Sequence, residues 1–188
     1  MNIAARTAPL VLLLCAVLPA FAGEAAAPQK PIAVQMYTLR DAGTLDQQLQ
    51  IVHDAGVHAV ETVGTQNVSA AELKQLLDRY AIKAVSSHVQ LAELRNDLDS
   101  VIAFNRSIGN TTLVVPYLDE KERPTDAVGW TALGQELGRI AKRARAKGMR
   151  MAYHNHDFEL VEFDGTTGLE LLFAAAGPDL QARSEERR

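Results

Sequence analysis

From Pro31 onward the chain alternates between two hydrophobic periods. Short apolar runs of strand length give way to polar residues, then to stretches whose apolar residues return every three or four positions, then to glycine. Ile32-Ala-Val-Gln-Met-Tyr37 predicts a first strand, and Thr44 predicts the N-cap of a helix carrying Leu45, Leu49 and Val52 that stops at Gly56. Residues 58–63 predict a second strand. Ser69-Ala-Ala-Glu72 reads as a capping box, in which serine and glutamate each accept the other's backbone N–H. It opens a helix with Leu73, Leu76, Leu77 and Tyr80 at helical spacing. Residues 82–88 predict a third strand, leading to a helix with Leu94, Leu98, Val101 and Ile102 that ends near Gly109. Residues 112–116 predict a fourth strand before a long helix from about Thr125 to Lys147, whose basic end suits the negative pole of a helix. The fifth strand lies in "MAYHNHDFEL" (151–160), and a last helix runs from Thr167 through Ala176.

Strands alternating with helices imply parallel pairing through right-handed crossovers. About five such units suggest a doubly wound sheet or part of a (β/α)8 barrel. Neither GxGxxG nor GxxxxGK[ST] occurs in the chain, so the dinucleotide and phosphate-loop folds lose their signature and the partial TIM barrel is favoured.

In such folds ligands bind at the C-terminal ends of the strands, and the polar residues fall there. Gln35 and Tyr37 close the first strand, Glu61 lies late in the second, His88 ends the third, and His154 and His156 end the fifth. Strict alternation puts Ala152, His154 and His156 on one face, Ala84, Ser86 and His88 on another, and Ala59 with Glu61. The His-x-His pair reads as metal ligands, as substrate contacts or as hydrogen-bonded core histidines. His88 reads as a substrate contact or a structural residue, and Glu61 as a site residue or an ion-pair partner of a neighbouring strand. Glu159 follows the two histidines, where a carboxylate can complete a divalent site of mixed nitrogen and oxygen ligands.

Composition adds a destination. The 188 residues are 47% hydrophobic and 22% charged, ordinary for a globular chain. Residues 1–22 differ: Arg6 precedes the apolar run Pro9-Leu-Val-Leu-Leu-Leu-Cys-Ala-Val-Leu18, and Ala20-Phe-Ala22 offers small residues at a cleavage site. That is the pattern of a cleavable signal peptide, too short for a confident membrane span, and it implies a periplasmic or secreted protein. Residues 23–30 read as a linker. Cleavage would remove Cys15, the only cysteine, and Arg6, taking the formal charge from −4 to 18 − 23 = −5. An acidic chain without a basic run is a poor nucleic-acid binder.

The segments "VQMYTLRD", "VETVG", "SSHV", "LVVPYL" and above all "YHNHDFE" resemble, in order and spacing, the xylose isomerase-like TIM-barrel superfamily, in its sugar phosphate isomerase/epimerase group. The resemblance covers about residues 31–179. It implies a divalent ion (Mn, Mg, Co or Zn) near the barrel top, polarising a keto sugar while a carboxylate moves a proton at the adjacent carbon. It implies catalytic and metal-binding roles for His154, His156 and Glu159, and substrate contacts from Gln35, Tyr37, Glu61 and His88. A non-catalytic, metal-independent carbohydrate-binding fragment or the product of a degraded gene is the alternative. A repair nuclease of the same superfamily is opposed by the acidic charge and the leader.

The resemblance also sets what should follow. Eight strands are expected, whereas the apolar pattern stops after five and residues 180–188, beginning Leu180 and then "QARSEERR", read as a charged tail outside the family pattern. From the sequence we expect a premature stop or frameshift just after Leu180, an exposed edge on the fifth strand that favours self-association, and weak metal binding.

Overall fold

Strands that each return through a helix can pair only in parallel, and the main sheet does so throughout. The computed structural model describes residues 32–183; the leader-like segment 1–22, the linker 23–30 and residues 184–188 lie outside the described residues. The strands are β1 (Val34–Gln35), β2 (Ala59–Val63), β3 (Lys83–His88), β4 (Thr112–Val115), β5 (Arg150–His154), a two-strand antiparallel hairpin of β6 (Glu162–Phe163) and β7 (Thr166–Thr167), and β8 (Leu180–Arg183). The main sheet runs β1-β2-β3-β4-β5-β8. The helices are α1 (Leu45–Asp54), α2 (Ala70–Arg79), α3 (Leu91–Ser107), α4 (Ala127–Ala146) and α5 (Gly168–Ala176). Among the described residues, no helix is long and apolar enough to cross a membrane.

Helix starts follow their caps. Thr44 Oγ1 accepts the Gln47 N–H at 3.3 Å while Gln47 Oε1 accepts the Thr44 N–H at 2.8 Å, and Thr167 and Glu170 repeat the exchange at 3.2 and 2.8 Å. Ser69 makes only half of its predicted box: its hydroxyl accepts the Glu72 N–H at 3.2 Å without the reciprocal bond. α3 breaks at Asp97 (φ −152°, ψ 72°), whose carboxylate accepts the Ser100 N–H at 3.0 Å and so caps the second half afresh.

The apolar core lies between the sheet and the helices. Val60 and Ala84 join Leu49, Val52, Leu73 and Leu77 from α1 and α2. Leu113, Val115, Met151 and Tyr153 join Leu98, Ile102, Trp130, Leu137 and Leu172 from α3, α4 and α5. α4 and α5 meet almost backbone to backbone: a Cβ on Gly134 would lie 2.2 Å from the Leu172 carbonyl oxygen, and one on Gly138 2.2 Å from that of Ala176.

Four sequence expectations need correction. β1 is only two residues long, paired Val34↔Val60 and Gln35↔Glu61, before the chain turns into a 3-10 helix at Met36–Leu39 that buries Met36. β3 carries a bulge, since Val60 pairs with Ala84 but Glu61 with Ser86, leaving Val85 as an extra residue. Ala84 therefore packs in the outer core, while Ser86 and His88 share the face of Glu61, instead of all three pointing together. β5 ends at His154, so His156 is not on a strand. Finally, residues 180–183 are not tail but β8, paired with β5 from Met151↔Leu180 to His154↔Arg183. Strand pairing uses backbone groups, and one buried residue, Leu180, suffices to anchor it. The edge of β5 is thus covered.

We expect Gly134→Ala to destabilise the protein by about 1–3 kcal/mol by forcing α4 away from α5. A lowered urea midpoint checks this; an unchanged midpoint contradicts the close approach.

Candidate functional site

The inner face of the sheet, opposite the helix layer, carries polar side chains where the outer face is apolar. Glu61 on β2 is 1% exposed, and Ser86, His88 and His154 are also buried. The Ser86 hydroxyl donates to Glu61 Oε2, and Arg183 Nη1 on β8 donates to the same oxygen and, at 3.2 Å, to Ser86 Oγ. His88 Nε2 stands 2.8 Å from Glu61 Oε1, a close ion-pair distance with the ring set off the line of an ideal hydrogen bond.

Burial alone would raise the Glu61 carboxyl. The contacts with His88 and Ser86, and the charges of His88 and Arg183, outweigh it and hold the group below the ordinary carboxylate range. Glu61 is the buried anion around which the site is arranged.

Above this cluster, at the C-terminal ends of the strands, lies a cavity of about 450 Å³. Gln35, Tyr37, His88, His154 and His156 line it, which brings together five of the seven predicted site residues. Gln90, Pro116, Tyr117 and Val63 complete the lining. The His154 ring centroid is 5.3 Å from that of His88 and 4.9 Å from that of His156. His156 is held edge-on to Tyr117 at 4.9 Å and stacked on Phe158 at 5.8 Å. A larger cavity, about 490 Å³, opens at the opposite end of β3 among Lys74, Val85 and Arg150, and holds none of the predicted site residues.

Glu159 does not join its expected partners. It is fully buried, with Oε1 accepting from the Tyr153 hydroxyl and Oε2 from the His156 backbone N–H, both at 2.8 Å. Its carboxylate fastens the turn after β5 and does not line the cavity. Burial, then the Glu159 charge and bond, push the Tyr153 hydroxyl well above its ordinary range and keep it a donor. Among the described residues, no group of three His, Cys, Asp or Glu side chains is placed to hold a metal ion. His154, His156 and Glu159 therefore do not form the metal set that the resemblance implies.

Sequence reasoning missed Arg183, which fell in the presumed tail, and did not single out Tyr117 although it directly follows a strand end. Ser86 was visible in "SSHV" and was placed on the face of His88; for want of the bulge it was Ala84 whose face was misread.

Structural comparison gives this architecture a place. A sugar phosphate isomerase/epimerase from Parabacteroides distasonis ATCC 8503 superposes with a TM-score of 0.71 at 16% identity, over 86% of this chain and 69% of that one. The parallel six-strand sheet and its five helices match part of the xylose isomerase-like TIM barrels among the solved structures. An AP endonuclease, family 2, from Brucella melitensis matches at TM-score 0.63 and 11% identity, over 82% of this chain and 68% of that one. The IOLI protein, whose crystal structure contains a bound zinc atom, matches at 0.51 and 13%, over 65% and 50%. No protein-family model and no curated protein sequence matches the chain. At these identities the likeness is one of fold, and a fold hosts many chemistries.

Two outcomes follow from the buried carboxylates. Because Glu61 is held below its unfolded range, its ionisation contributes stability that is complete above that range and is lost as pH falls through the folded value. We expect Glu61→Gln to flatten the acid limb of the stability–pH curve, measured by urea unfolding from pH 7 downward. Tyr153→Phe leaves Glu159 a donor short in the interior and should cost about 1–3 kcal/mol in the same assay.

Proposed function

We infer that the cavity takes a sugar or keto sugar and that the protein moves a proton at the carbon next to its carbonyl, as an isomerase or epimerase. The observation that carries this reading is the buried Glu61 carboxylate 2.8 Å from His88, beneath a cavity that His88 lines. A carboxylate beside one ring nitrogen orients an imidazole, and an imidazole placed at a cavity can exchange a proton with a bound ligand. His88 would take the proton from carbon while the electron pair moves onto the carbonyl oxygen. Returning the proton to the former carbonyl carbon, while the hydroxyl of the deprotonated carbon passes its proton to the former carbonyl oxygen, gives isomerisation; a proton from solvent on the opposite face of the deprotonated carbon gives epimerisation. His154, with its ring 5.3 Å from His88, supplies a second imidazole able to hydrogen-bond the developing oxyanion.

The similarity to the P. distasonis isomerase/epimerase supports the sugar assignment. Among the described residues, no group of three ligand side chains is placed to hold a divalent ion. A periplasmic or secreted location rests on the leader-like pattern of residues 1–22.

The test is deuterium exchange from D2O into D-fructose, followed by proton NMR, with the full chain assayed with and without added divalent ions. We expect solvent deuterium at the carbons beside the carbonyl, and a loss of about 10²–10⁴-fold in His88→Gln. Sugar binding without exchange would overturn the enzymatic reading in favour of a carbohydrate-binding role.

A further inference from the structure

Two tyrosines at the cavity share a construction. Tyr37 follows β1 and Tyr117 follows β4, and both line the cavity although 54% and 39% exposed. Each has an arginine laid over its ring. The Arg40 guanidinium carbon sits 4.4 Å from the Tyr37 centroid, with Nη1 donating to the Tyr37 carbonyl at 3.0 Å. The Arg123 carbon sits 4.9 Å from the Tyr117 centroid; Nη2 donates to the Tyr117 hydroxyl and Nε to the Leu118 carbonyl at 3.0 Å. Arg123 also covers Phe158 at 3.9 Å.

A cation over one side of an aromatic ring braces it through the ring quadrupole. Part of each tyrosine stays exposed at the cavity, Tyr117 with the His156 and Phe158 rings edge-on to it at 4.9 and 5.6 Å. Exposed aromatic surface flanking a polar centre suits the C–H faces of sugar rings, which are apolar between their hydroxyls. The spacing then speaks to length. β2 and β3 stand between β1 and β4 in the sheet, so the two tyrosines spring from strands three spacings apart, about 14 Å along the sheet. A single sugar ring does not cover both, and His88, the acid–base candidate, ends a strand between them.

We propose that the ligand of this cavity carries two sugar rings, one on each arginine-backed tyrosine, so that a keto disaccharide or glycoside is preferred over a monosaccharide. This rests on the reading of the cavity as a sugar site, but not on the proton transfer.

The probes are lactulose, which carries a ketose and a second ring, and D-fructose, which is the ketose alone. Binding to the full chain is measured by isothermal titration, beside deuterium exchange in both sugars. Lactulose should bind roughly tenfold more tightly than D-fructose or better, Tyr117→Ala should abolish that advantage, and Tyr117→Phe, which keeps the ring, should retain it. Equal affinity for the two sugars, or an advantage that survives Tyr117→Ala, overturns the two-ring inference. Tighter lactulose binding without exchange in either sugar upholds it and removes the proposed chemistry instead. No binding of either sugar overturns both.

Discussion

A carboxylate with 1% exposure must be paired, hydrogen-bonded or protonated, and Glu61 meets this constraint by drawing in three side chains from two other strands. Its oxygens face His88 and Ser86 on the neighbouring strand and Arg183 on β8, at the far edge of the sheet. Much else follows from satisfying it. The inner face of the sheet cannot close on itself as an oily core, so the two apolar clusters form on the helix side. The histidine that ends β3 is held at the floor of the cavity, and the last described strand is tied back to the second.

The bulge at Val85 reconciles the two faces of β3. Ala84 is needed in the outer core with Leu77 and Ile108, while Ser86 is needed inside with Glu61. Regular alternation would put these two residues on the same side. The extra residue inserted between them sends Ser86 and His88 inward and leaves Val85 exposed. A backbone irregularity beside polar site residues thus serves placement, which is where bulges concentrate in sheets.

The helices and the order of strands β1 to β5 were legible because their signals are local. Thr44 and Thr167 announce helix starts through their own hydroxyls, and the returning leucines of α1 and α2 mark a single buried face. What escaped is non-local. The Val85 bulge is defined by the partner strand, and no residue type at that position declares it. Glu159 looks like a ligand beside two histidines in sequence, but the chain turns after His154 and the carboxylate is spent on Tyr153 and the His156 N–H. β8 was read as tail because its strand is specified by the backbone of β5 and by Leu180 alone. The five cavity residues at the strand ends were found because a parallel sheet puts all its C-terminal ends on one side, whatever the detail of each strand.

A buried carboxylate–histidine pair forms the floor of the proposed sugar site on the inner face of the sheet. A crystal structure of the full chain soaked with D-fructose tests it most directly. Sugar density is expected in the cavity against His88, with Glu61 buried beneath and facing His88, Ser86 and Arg183. A Glu61 side chain turned toward the helix layer, or sugar density only elsewhere on the molecule, would contradict it.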